Sequence, residues 1–178
     1  DHYQFLTLTI HCSPFTDTMN ESHLHTYQLH IIDHILTHPS AGIFVEMGLG
    51  KTIATLTAVS CLMFDSFEVR KVLVIAPKFV AENVWSNETD KWEHTRFLCL
   101  SLVTGTEKQR IAALNAAADI YIINRENVVW LVSHYGSRFP FEMVVIDELS
   151  SFKSPKAQRF KALRHVLPHV RRIVGLTG

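Results

Sequence analysis

The stretch Glu46-Met47-Gly48-Leu49-Gly50-Lys51-Thr52 constrains this chain more than any other. It follows a short apolar run, Ala41–Val45, and opens a helix-period segment that continues through Ile53. A strand, a glycine-bearing loop and a helix, in that order, make a cradle for phosphate. Gly48 and Gly50 let the backbone fold tightly, so that N–H groups converge on anionic oxygens between Met47 and Lys51. The start of the helix adds partial positive charge at the same point. Lys51 supplies a point charge for β- and γ-phosphates, and Thr52 a hydroxyl for Mg²⁺. The generic pattern G-x-x-x-x-G-K-[ST] has its first glycine where this chain has Val45.

Such a loop needs a parallel sheet to carry it, and the rest of the sequence reads that way. Short runs rich in β-branched residues predict buried strands at Ala41–Val45, Val72–Ala76, Phe97–Val103, Ile120–Ile123, Met143–Ile146 and Arg172–Leu176. Helix-period segments alternate with them: Tyr27–Leu36, Lys51–Phe64, Phe79–Glu93, Glu107–Ala118, Glu126–His134 and Lys156–Val166. Alternation of this kind predicts one α/β domain, a parallel sheet with helices on both faces. Tyr3–Ile10 reads as a weak edge strand, and residues 1–22 as an appendage, with the domain proper starting near Met19. In a parallel sheet ligands gather at the carboxyl ends of the strands. The strand Met143–Ile146 ends in Asp147-Glu148. Asp147 suits Mg²⁺, and Glu148 suits a base that orients and deprotonates water.

Charge sharpens the reading. The formal net charge is zero, which excludes a uniformly basic nucleic-acid module. Yet residues 1–50 hold five acids and no Lys or Arg, so the remainder carries a net +5. Residues 149–178 hold seven bases and no acid, a candidate nucleic-acid or inter-lobe surface, with Lys156, Arg159 and Arg164 on one helix face. Cys12, Cys61 and Cys99 form no C-x-x-C pair, which excludes a disulfide scaffold and fits a reducing compartment. His30, Asp33 and His34 share a polar helix face opposite Ile31, Ile32 and Ile35, the pattern of a solvated amphipathic helix rather than a zinc site. No apolar run is long enough to span a membrane.

Taken with these motifs, residues from about Tyr27 to Gly178 resemble superfamily 2 helicases, and more narrowly the Swi/Snf family of double-stranded DNA translocases. EMGLGKT is the wording that family favours, and it tolerates a non-glycine at Val45. Tyr27-Gln28 resembles the adenine-reading Q motif, and a glutamine amide both donates to and accepts from the N6/N7 edge of adenine. Trp85, Glu88, Lys91 and Trp92 match the pattern W-x-x-E-x-x-K-W. Their expected physical role is an amphipathic helix with the tryptophans in the core and Glu88 paired to Lys91 outside. Pro77-Lys78, Gly105 and Asn124-Arg125-Glu126-Asn127 occupy the positions of motifs Ia, Ib and Ic, which implies DNA contact by Pro77, Lys78, Gly105 and Asn124. DELSSFKSP, with Ser150 where histidine is common and Lys153 downstream, resembles phage and prophage members. Leu176-Thr177-Gly178 resembles the opening of motif III, a coupling element, and the chain stops inside it.

The resemblance implies a RecA-like P-loop lobe at residues 23–178, ATP and Mg²⁺ as cofactors, and double-stranded DNA as partner. It also implies a second RecA-like lobe, absent here, that brings arginine fingers. The isolated chain is then nearly inactive, and its setting is the cytoplasm of a bacterial or phage-infected cell. Two other classes stay open: another superfamily 2 machine, such as an RNA helicase or a restriction-enzyme motor, and a non-motor nucleotide-binding module.

Overall fold

A computed structural model describes residues 19–152 and 158–178. The Tyr3–Ile10 reading and the residues Lys153 and Lys156 lie outside that range. Six strands form one sheet: β1 (Ser40–Phe44), β2 (Val72–Ala76), β3 (Leu100–Val103), β4 (Ile120–Asn124), β5 (Met143–Asp147) and β6 (Arg172–Thr177). Their order is β1-β6-β5-β2-β4-β3, and every neighbouring pair is parallel. Helix α1 (Thr26–Thr37) precedes β1, and the successive strands are joined through α2 (Lys51–Ser60), α3 (Lys78–Lys91), α4 (Glu107–Asn115), α5 (Val128–Tyr135) and α6 (Gln158–Val166).

The period of two along each strand divides the core between the two faces. Val72, Val74, Ile120, Ile122 and Val145 pack with Ile32 and Ile35 of α1, Ile53 and Leu56 of α2, and Ala81 and Trp85 of α3. Leu73, Ile75, Ile123, Val144 and Ile146 pack with Leu114 of α4, Val128 and Leu131 of α5, and Leu163 and Val166 of α6. A sheet covered on both faces explains why β2 and β4 are buried along their whole length.

Three boundaries differ from the sequence expectation by three residues or more. Strand β3 starts at Leu100, not Phe97. The Asp119 carboxylate accepts from the Cys99 N–H at 2.8 Å, and Phe97 turns out to an edge contact with Phe64. Helix α4 ends at Asn115, where the Tyr121 hydroxyl donates to the Ala116 carbonyl at 2.7 Å. After α2 the chain widens into a π-helical turn at Cys61–Asp65. At the other end, Met19 bridges in parallel to Trp92, and Asn20 caps a short 3₁₀ turn at Glu21–His23. Residues 19–22 are therefore fastened to the domain. The pairing of Glu88 with Lys91 is present at 3.0 Å.

The charge reading of the last thirty residues needs correction. Arg172 is 6% exposed and does not contribute to a surface. Its guanidinium pairs with Glu68, Nε to Oε1 at 2.7 Å and Nη2 to Oε2 at 2.8 Å. It also donates to the Ile35 carbonyl at 2.8 Å and the Leu36 carbonyl at 3.0 Å, closing the last turn of α1. Arg171 reaches the Glu68 carbonyl at 3.2 Å, at the amino end of β6. Both arginines sit on the edge of the sheet opposite the glycine loop.

Candidate functional site

Because all strands run the same way, every loop that leaves a carboxyl end emerges on one edge. The strand order sorts those loops. The loop at residues 45–50 follows β1, Thr177 ends β6, and Asp147 with Glu148 closes β5. These three strands are neighbours. The other half of the edge carries Pro77-Lys78 after β2, Asn124-Arg125 after β4 and Gly105 after β3.

Gly48 and Gly50 have φ of +82° and +70°, the left-handed region that glycine enters without strain. Gly50 is the residue before α2, so its conformation starts the helix. A Cβ there would fall on the Gln28 carboxamide. Gln28 is 5% exposed; its Oε1 accepts from the His25 N–H at 2.8 Å, and its Nε2 faces the Leu49 carbonyl at 3.5 Å. Gln28 thus ties the start of α1 to the loop, beside Tyr27, whose ring stacks on His25. The Lys51 ammonium bridges the loop, donating to the Glu46 carbonyl at 2.9 Å and to the Val45 carbonyl. Thr52 follows in the first turn of α2. The Val45 N–H donates to the Thr177 carbonyl at 3.2 Å, which fixes Thr177 and Gly178 against the loop. Met47 is exposed at the loop's tip.

Asp147 is the half-buried acid of the site. Burial pushes its carboxyl above the ordinary range, while hydrogen bonds from Trp85 and the Glu148 backbone and the charge of Lys51 pull the other way. The Trp85 bond is direct: its indole N–H donates to Asp147 Oδ2 at 3.0 Å. Sequence reasoning placed Trp85 in the core, and it is fully buried. It missed the contact with Asp147, since nothing local to Trp85 reports a partner sixty-two residues away. Thr52 and Asp147 are hard oxygen donors, the set that suits Mg²⁺, and a desolvated carboxylate gains from a cation beside it. Partners that hold a ligating carboxylate affect metal affinity by about 10–100-fold. Trp85→Phe is therefore expected to weaken the Mg²⁺ dependence of nucleotide binding by on the order of tenfold. A fluorescent-ADP titration at graded Mg²⁺ checks this; equal Mg²⁺ dependence in parent and variant would refute it.

Glu148 has φ of +63°, an uncommon conformation for a residue with a Cβ. Its side chain is exposed, and Oε2 lies 3.6 Å from Arg125 Nη1. Of the DNA-contact candidates, Lys78 opens α3 exposed, behind Pro77, and Gly105 is exposed with φ of +83°. Asn124 is turned inward at 9% exposure. Its amide donates to Glu126 Oε2 at 2.9 Å and its carbonyl oxygen accepts from Asn127 at 2.6 Å. The positive group of that turn is Arg125, which the candidate contacts did not include.

A family model described as the SNF2-related domain matches residues 23–178. The chain belongs to this family. It is 39% identical over 158 residues to a putative protein p41 of Acyrthosiphon pisum secondary endosymbiont phage 1, a match covering 85% of this chain and 34% of that one. It is 37% identical over 73 residues to a DNA repair and recombination protein RAD54-like of Drosophila willistoni, covering 39% of this chain and 9% of that protein. The chain thus spans a minor part of these relatives. In fold it is similar to a Sulfolobus solfataricus SWI2/SNF2 ATPase core solved in complex with double-stranded DNA, with a TM-score of 0.70 at 24% identity over 87% of this chain and 32% of that one. It is also similar to the UvsW helicase of bacteriophage T4, with a TM-score of 0.65 at 15% identity over 87% of this chain and 52% of that one. This SNF2-related domain is a helicase-like ATPase lobe with the RecA-like fold. Among the described residues, no helix is long and apolar enough to cross a membrane.

Proposed function

We propose that this lobe binds ATP and, joined to a second RecA-like lobe, hydrolyses it to move along double-stranded DNA. The observation that carries the reading is the sorted carboxyl edge: phosphate loop, Thr177 and the Asp147–Glu148 pair on three adjacent strands, Lys78, Arg125 and Gly105 on the other three. Gln28, with Tyr27, reads adenine. The backbone of residues 47–50 and the Lys51 ammonium hold the phosphates, and Thr52 and Asp147 are the ligands for Mg²⁺. Those two oxygen donors would hold the ion, which would supply neutralisation of phosphate charge. Glu148 takes the proton of the attacking water. Pro77, Lys78, Gly105 and the Asn124 turn face the nucleic-acid backbone, which positions without reading sequence. Thr177 and Gly178, tied to the phosphate loop, couple the two halves. The lobe comprises residues 23–178, and the setting is the cytoplasm of a bacterial or phage-infected cell.

An arginine finger from a second lobe contributes on the order of 10³–10⁵ in rate, so residues 1–178 alone turn over slowly. The test is ATP hydrolysis by the two-lobed protein with double-stranded DNA, single-stranded DNA or RNA. Stimulation by double-stranded DNA supports the reading. Stimulation by RNA alone favours another superfamily 2 machine, and no nucleic-acid response favours a non-motor module. Lys51→Ala is expected to weaken ATP binding by at least about tenfold through loss of a charge-assisted contact. Unchanged affinity in a direct titration would remove Lys51 from the phosphate site.

A further inference from the structure

The Glu148 carboxylate faces a cation that comes from the other half of the edge. Arg125 follows β4 and Glu148 follows β5, with β2 between them. Their ion pair at 3.6 Å therefore crosses the boundary between the nucleotide half and the proposed nucleic-acid half. Arg125 stands on an ordered turn. Its Nε donates to Glu126 Oε1 at 3.1 Å, Glu126 accepts from Asn124, and Asn124 accepts from Asn127. On the other side, the left-handed backbone at Glu148 fixes where its side chain begins. The side chains are 31% and 54% exposed, so an anion arriving at the edge reaches the guanidinium without unfolding anything.

We propose that Arg125 is a positioning residue that restrains Glu148 until a nucleic-acid phosphate takes the guanidinium away. The inference rests on Glu148 being the base of the proposed hydrolysis. A carboxylate drawn into an ion pair with a guanidinium has one oxygen engaged and its position restrained, so it is not free to meet the attacking water. Glu148 offers the guanidinium one oxygen at 3.6 Å, a phosphodiester can offer it two, and phosphates are the part of nucleic acid that any sequence presents. One cation then serves two anions in alternation. Occupancy by the phosphate frees the base, and by linkage the freed pair also favours nucleic-acid binding. An exposed pair limits the restraint to about two- to fivefold in rate.

The experiment is ATP hydrolysis by the two-lobed enzyme, with and without saturating double-stranded DNA. Arg125→Ala is expected to raise the DNA-free rate about two- to fivefold and to lower the ratio of stimulated to unstimulated rate. Arg125→Lys, which keeps the charge and loses the fork, falls between parent and Arg125→Ala. A DNA-free rate that is unchanged or reduced in Arg125→Ala, with thermal unfolding as in the parent, overturns the proposal. Glu148→Gln separates this from the underlying reading. If Glu148→Gln loses hydrolysis and Arg125→Ala shows no rise, the restraint alone is wrong; if Glu148→Gln hydrolyses ATP at the parent rate, the base assignment is wrong.

Discussion

Glu148→Gln is expected to bind ATP as the parent does and to hydrolyse it about 10²–10⁴-fold more slowly. The substitution is nearly isosteric, so it asks little of the backbone at φ +63°, which an amide tolerates as well as a carboxylate. What it removes is a proton acceptor on an exposed side chain beside a phosphate loop. The Asp147 carboxylate, its Trp85 hydrogen bond and the Lys51 contacts with the loop are untouched by the change. Binding and turnover should therefore separate cleanly. Fluorescent-nucleotide titration and phosphate release on the same two-lobed preparation measure the two quantities. Parent-level release would assign the proton transfer to another group.

The second large effect is on stability, at the opposite edge of the sheet. Arg172→Met is expected to destabilise the domain by about 3 kcal/mol. Breaking a buried pair by removing one partner costs about 3–5 kcal/mol, and the lower end applies because Glu68 is partly open to water and keeps its hydration. The methionine fills the volume of the arginine stem but orphans the Ile35 and Leu36 carbonyls at the end of α1. For a domain of this length the melting temperature should fall by roughly 6–12 °C. A shift within about 2 °C would show that water replaces the guanidinium without loss. Acid should mimic the substitution. Hydrogen bonding from Arg172 holds the Glu68 carboxyl below its usual range, against the opposing effect of burial. A carboxyl lowered in the folded state contributes stability above its unfolded value, and that contribution is lost as pH falls through the folded value. Parent stability should drop over this acid window more steeply than that of Arg172→Met.

The two edges also show what the sequence makes legible. The central strands β2, β4 and β5 are legible as apolar runs rich in β-branched residues, because a sheet covered on both faces demands apolar side chains in both directions. The phosphate loop and the Asp147–Glu148 pair were visible because their chemistry needs particular residues next to each other in the chain. Trp85 was visible only as a core tryptophan. Its role toward Asp147 depends on α3 bringing the indole to the end of β5, and that packing has no local signature. Arg172 was misplaced for a related reason. A charge count takes every arginine as surface, and only the meeting of α1, the chain before β2 and β6 shows where this one goes. Asn124 and Arg125 exchanged places because adjacent polar residues at a strand end look alike until the turn decides which faces inward.

The sheet order has a consequence for the making of the protein. Among the described residues, strand β1, which carries the glycine loop, has β6 as its one neighbour in the sheet. During synthesis β2 and β4 can pair as soon as residues 120–124 emerge, but the partner that β1 has among the described residues arrives only when residues 172–177 are made. Pairings this distant along the chain form late, because the loop they close is long. The nucleotide pocket is therefore the last part of the sheet to be completed on the ribosome. A nascent chain halted short of β6 would leave β1 and its glycine loop without the strand that they pair with.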